Sequence, residues 1–180
     1  WTRAHDGLGR TFQITRLFKS MTVLDNLVAP LEKTSARQMV AGRYSGDEVD
    51  RAREVLDFMG LGQFEKQNAA ALSFGQQKLV ELAQILMLRP SIVLLDEPAS
   101  GINPTLIGKL ASVIKRLNDA GTTVLIVEHN IPLVLSLCDT VHVLAAGEIL
   151  LSGTPDEVRN DPQVIEAYLG PDHLLEVDNA

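Results

Sequence analysis

Residues 91–98 read SIVLLDEP: four consecutive apolar side chains, Ile92 to Leu95, then two carboxylates, Asp96 and Glu97, and a proline. A short run of branched apolar residues closed by proline predicts a strand buried on both faces. Open parallel sheets bind ligands beyond the carboxyl ends of their strands, so two acids at that end have a use. One can hold Mg2+ through water while the next orients and deprotonates an attacking water. Taken alone, the same residues are equally a strand followed by a solvated acidic loop.

The residues that follow set the class of fold. LIGKLASVIKRLNDAG (106–121) has a helical pattern and TTVLIVEHN (122–130) is a second apolar run, so strand, helix and strand follow in order. That order predicts a right-handed crossover and a parallel sheet covered on both faces. The second run ends in Glu128 and His129, and a neighbouring parallel strand would bring His129 to the rim that carries Asp96 and Glu97. A histidine in isolation is more often a satisfied structural group. VHVLAAGEILLSG (141–153) predicts an edge hairpin turning at Gly147, and Thr154-Pro155 and Asp161-Pro162 are helix starts.

Upstream, LSFGQQKLVELAQ (72–84) opens with a cap residue, Ser73, and a glycine, Gly75, before a helix expected from Gln76 to Leu88 and stopped by Pro90. Free N–H groups and the positive end of the helix dipole make such a start suited to an anion, phosphate above all, although an ordinary capped helix reads the same way. Thr22 caps a predicted helix through Val28. In SGDEVDRAREVLDFMGLG (45–62) the residues Val49, Ala52, Leu56 and Met59 share one helical face that ends at Gly60. Residues 1–19 read as an extended or looped segment.

The totals exclude several classes. A net charge of -7 and the lack of a Lys/Arg cluster argue against a nucleic-acid partner. No stretch reaches the ~20 apolar residues of a membrane span, and the first residues carry no signal-peptide pattern, so a membrane role goes through a partner. One cysteine, Cys138, reads as core packing in a reducing compartment. His5, His142 and His173 read as structural or surface groups. A chain of 180 residues suits one domain, with no internal repeat, and its start at Trp1 suggests a piece of something longer.

In this order, the stretches resemble the nucleotide-binding domain of ABC transporters. LSFGQQ is similar to the signature motif, IVLLDEP to the Walker B strand, ASGINP to the D-loop, VEHN to the H-loop, and RTFQ to the stretch that ends in the Q-loop glutamine. GLGRTFQITRLFKSMTVLDNL, FGQQKLVELAQ and GTPDEVRNDPQVIEAYLG look most like the ATPase subunits of branched-chain amino acid importers. Phe74 departs from the general LSGGQ pattern in the way of that subgroup, and Asn103 stands where many relatives carry an acid.

The resemblance implies an α/β P-loop NTPase-type domain with a helical subdomain and a parallel core sheet, N-terminally incomplete. Residues 1–19 would be the Q-loop segment, 20–88 the helical subdomain ending in the signature helix, 89–170 the C-terminal part of the catalytic core and 171–180 a tail. It implies Glu97 as general base, Asp96 on Mg2+ through water, Gln13 on Mg2+ or the attacking water, and His129 on the γ-phosphate of ATP. Ser73, Gly75 and Gln76 would clasp ATP held by a second ABC ATPase subunit, at the cytoplasmic face of a membrane beneath permease subunits.

The chain contains no GxxxxGK[ST] loop, so this stretch alone is expected to bind ATP poorly and not to hydrolyse it. It is either part of a complete ATPase or a non-catalytic partner that lends its signature motif to a complete subunit. Urea or short amides are alternative cargoes. An ATPase of DNA repair or translation lacks the long heptad insertion or second nucleotide-binding domain expected of that class.

Overall fold

The computed structural model describes residues 7–11, 17–31 and 44–169; Gln13, His5, His173 and the tail from 171 lie outside them. The chain forms two compact units, one running to Glu128 and the other starting at His129.

In the first unit, β1 (Leu8–Arg10), β2 (Ile92–Asp96) and β3 (Thr123–Val127) form a parallel sheet in the order β1-β2-β3. Leu94 of β2 stands opposite Arg10 on one side and Leu125 on the other. The segment expected to be extended or looped thus supplies a paired strand. On one face Val93 and Leu95 are buried beneath α3 (Phe74–Leu86) and α4 (Pro104–Asp119), whose Leu79, Leu82 and Leu110 are also buried. Fully burying one such side chain contributes ~1.5–3 kcal/mol, so this layer carries much of the unit's stability.

The expectation of a sheet covered on both faces is corrected here. Leu125 and Val127 are 53% and 59% exposed and Ile92 is 41% exposed. These residues point to the side opposite Val93 and Leu95, and among the described residues only the latter side is packed closely enough to exclude water.

The helices begin where their caps dictate. Thr22 caps α1 (Val23–Val28) in a reciprocal box with Asp25, and Ser45 caps α2 (Gly46–Phe58) with Glu48. The α2 face buries Ala52 and Leu56, with Met59 following, and the chain turns at Gly60 with φ +63°. The helix α3 starts two residues earlier than Gln76 because Gln76 is the box partner of Ser73 rather than the first helical residue. It ends at Leu86, and Arg89 takes φ +49° before Pro90. The helix α4 starts at Pro104 behind the cap Asn103.

Asn26 is fully buried on α1 and clamps the chain entering it. Its Oδ1 accepts from Phe18 N–H at 2.8 Å, and its Nδ2 donates to the carbonyls of Phe18 at 3.0 Å and Thr22 at 2.9 Å. Gln84 of α3 donates to the Asn26 carbonyl at 2.9 Å, which ties α1 to the signature helix.

In the second unit, α5 (Ile131–Leu137) is capped by Asn130 and carries Pro132 in its first turn, signals that went unread in the sequence. The strands β4 (Val141–Ala145) and β5 (Glu148–Gly153) pair antiparallel around Ala146 and Gly147, both at positive φ. They form a sheet of their own instead of the expected edge of the parallel sheet, and a register shift between Val143 and Leu144 bends the ribbon. Val143 packs with Val158 of α6 (Pro155–Asn160) and Val164 of α7 (Pro162–Val164), and a π turn over Ile165–Leu169 follows. His142 pairs with Ser152 across the ribbon at 2.8 Å, a surface contact. Cys138 is half-buried after α5, and burial pushes its thiol pKa up, with Asp139 adding to the shift.

Candidate functional site

The site grows from the carboxyl end of β2. Asp96 is the last residue of the strand; its N–H donates to Thr11 Oγ1 at 3.2 Å, and Thr11 N–H donates to the Leu94 carbonyl at 3.0 Å. The chain leaving β1 is thereby stitched to β2 beyond the paired residues. The Asp96 carboxylate, whose side chain is 34% exposed, lies 3.6 Å from the guanidinium of Arg10. An exposed pair at that distance is worth at most ~1 kcal/mol, so Arg10 supplies local charge more than stability.

Glu97 follows in the left-handed region at φ +44°. A residue with a Cβ pays ~1–2 kcal/mol there, and the conformation persists because several bonds over-determine it. The Glu97 N–H donates to the Val127 carbonyl at 2.9 Å. Its own carbonyl accepts from Lys78 Nζ at 2.9 Å and from Ser100 N–H at 3.1 Å. Two residues on, Ala99 N–H donates to Glu128 Oε1 at 2.6 Å. The turn carrying the second acid is therefore pinned from β3, from the residue after β3 and from α3.

Lys78 is part-buried, and desolvation pushes its pKa down against the opposing charges of Glu128, Glu81 and Glu97. Its ammonium stands 5.4 Å from the centre of the Phe74 ring. A cavity of about 20 Å³, lined by Thr11, Lys78, Glu81, Leu95 and Asp96 among others, lies behind these groups. That is room for roughly one water and far too little for a nucleotide.

At the start of α3, Gln76 N–H donates to Ser73 Oγ at 3.3 Å and Ser73 N–H donates to Gln76 Oε1 at 2.8 Å. The first intrahelical bond runs from Gln77 N–H to the Ser73 carbonyl, which leaves the N–H groups of Phe74 and Gly75 ahead of it. Ser73 and Phe74 are exposed, whereas Gly75 is buried with its side-chain direction against Ile102 and Leu106. The absent Cβ thus makes room for α4 and the loop before it.

Asp96, Glu97 and the start of α3 fall in the first unit, linked through Lys78. His129 opens the second unit as an exposed residue before the Asn130 cap, and Gln13 lies outside the described residues. Sequence reasoning missed Thr11, Arg10, Lys78 and Glu128. Thr11 and Arg10 were within reach, since both belong to the RTFQ stretch that begins at the last residue of the first strand. The Lys78 contact spans 19 positions and leaves no local signal.

A parallel sheet with paired acids at its carboxyl rim, joined to a capped helix start, is where open α/β folds bind their ligands. The family description "ABC transporter" matches residues 1–100, and "Branched-chain amino acid ATP-binding cassette transporter" matches residues 148–173. The high-affinity branched-chain amino acid transport ATP-binding protein LivG of Salmonella typhimurium is 38% identical over 180 residues, covering 93% of this chain and 69% of LivG. A crystal structure of an ABC transporter ATP-binding cassette in its ADP conformation superposes with a TM-score of 0.78 at 33% identity, over 94% of this chain and 70% of that one. A dimeric post-hydrolysis cassette bound to ADP and Pi gives 0.68 at 27% identity, over 84% and 64%. The chain belongs to the ABC transporter family, among its ATP-binding subunits, and the chemistry of its parent protein is ATP hydrolysis.

Proposed function

We propose that the chain carries the hydrolytic rim of an importer for branched-chain amino acids, acting as a dimer with a second ABC ATPase subunit at the cytoplasmic face of a membrane, beneath transmembrane permease subunits. The observation that carries this reading is the Asp96–Glu97 pair, tied to β3 and α3, in a chain similar to LivG along nearly all its length. Among the described residues no helix is long and apolar enough to cross a membrane, so attachment goes through the permease.

Glu97 takes the proton of the attacking water as its oxygen bonds to the γ-phosphorus and the bond to the ADP oxygen breaks. His129 and Gln13 orient the γ-phosphate and the water. Mg2+ keeps several waters and uses one or two carboxylates plus phosphate oxygens, and Asp96, a single partly exposed carboxylate at the rim, fits that donor set. When bound, the ion offsets negative charge on the phosphates. Ser73 Oγ, which accepts from Gln76 N–H, retains its own O–H to donate to a phosphate oxygen of ATP on the opposite subunit, and Gly75 and Gln76 complete that clasp.

The test is ATP hydrolysis by the full-length protein reconstituted with its permease and binding protein in liposomes. Stimulation by leucine, isoleucine or valine is the expected result. Stimulation by urea or short amides alone would overturn the substrate assignment, and no ATP hydrolysis under any condition would overturn the reading as a whole.

A further inference from the structure

The turn that carries Glu97 is held in the left-handed region by groups from three places, and one of them lies on the signature helix. Lys78, five residues after the cap Ser73, reaches across to the Glu97 carbonyl at 2.9 Å. Ser100 N–H shares the same acceptor at 3.1 Å, while Glu97 N–H is fixed on Val127. Two bonds to the carbonyl and one from the N–H leave the peptide planes on both sides of the Glu97 α-carbon little freedom, and those planes set the direction of its side chain.

The same ammonium faces the ring of Phe74, the residue between Ser73 and Gly75, and it lies within the electrostatic reach of Glu81, Glu97 and Glu128. A part-buried ammonium keeps its charge where polar or π partners replace lost water, and Lys78 has the Glu97 carbonyl and the face of Phe74. Phe74 also packs against Gly101, which takes φ +72°, so the ring bridges the helix start and the loop after Glu97.

We propose that Lys78 is a positioning residue for ATP hydrolysis: through the Glu97 carbonyl it fixes the turn that aims the Glu97 carboxylate, and through Phe74 it makes that aim depend on the state of the signature helix start. The inference rests on the reading of Glu97 as general base. Lys78 touches neither the water nor the phosphate in this scheme, and it acts through the backbone of the residue that does.

The test compares Lys78→Met, which keeps the apolar stem and removes the donors, with Lys78→Arg, which keeps charge and donors, in the full-length protein. For Lys78→Met, kcat falls about 10- to 100-fold, the scale of a misaimed reacting group, while KM for ATP stays within about twofold. Lys78→Arg recovers most of the lost kcat. In a Glu97→Gln background, Lys78→Met causes no further loss, because both changes act on the same step. An unchanged kcat in Lys78→Met, or equal proportional changes in kcat and KM, overturns the proposal. So do equal losses in the Met and Arg variants accompanied by a lowered melting temperature, since that pattern describes a structural lysine. If Glu97→Gln itself retains hydrolysis, the base reading falls and this inference with it; a silent Lys78→Met in a protein that Glu97→Gln inactivates removes this inference alone.

Discussion

The side-chain direction of Gly75 is aimed at Ile102: a Cβ on residue 75 would stand 2.6 Å from Ile102 Cγ2 and 2.8 Å from Leu106 Cδ1. Real Cβ atoms do not approach so closely, so Gly75→Ala forces the loop before α4 away from the signature helix. Overpacking costs ~1–3 kcal/mol, and the better helix propensity of alanine returns at most ~1 kcal/mol. The expected net loss is about 1 kcal/mol, a drop of ~2–4 °C in melting temperature for a chain of this size. Calorimetry showing an unchanged or raised midpoint would contradict the packing account.

Gly75 also shows how far the sequence could be read. The glycine was legible as a position where a side chain is unwelcome, and a ligand is the natural reason when only the chain is in view. The structure supplies a further reason, the close approach of Ile102, which stands 27 positions away and announces nothing locally. The caps Thr22, Ser73 and Thr154 and the strand SIVLLDEP were legible because their signals lie within four residues. Which sheet face is buried was not legible, because covering residues come from elsewhere in the chain. The placement of the hairpin in its own sheet was hidden for the same reason.

Ser73 has two separable roles. Ser73→Ala removes the Oγ that accepts from Gln76 N–H, leaves the backbone half of the capping box in place, and is expected to cost ~1 kcal/mol of stability. Ser73→Asp preserves a cap and adds favourable charge at the helix start, yet places a carboxylate where a phosphate is to bind. Thermal melts of Ser73→Asp match the parent while its ATPase rate falls by at least about tenfold, on the scale of one like-charge conflict of ~1.4 kcal/mol. Retained activity in Ser73→Asp would place the phosphate elsewhere.

Asn26 is the polar clamp most exposed to disruption. Replacing it with leucine keeps the branching but removes the acceptor of Phe18 N–H and the donor to the Phe18 and Thr22 carbonyls. The Phe18 carbonyl retains Met21 N–H, so the Phe18 N–H is the group left without its partner, at ~1–3 kcal/mol. Urea titration of Asn26→Leu is expected to show a loss of ~1–3 kcal/mol, on the scale of one unsatisfied group. A loss below ~0.5 kcal/mol, the range of an ordinary surface substitution, would mean that the clamp does not order the chain entering α1.

The central claim is that Glu97, on the strained turn beyond β2, is the base that deprotonates the attacking water. Glu97→Gln in the full-length protein tests it, with Mg-ATP binding and steady-state turnover followed side by side. The account predicts that binding persists while turnover falls at least about 100-fold, the contribution of a positioned general base. Turnover within a few-fold of the parent, with binding intact, would contradict it.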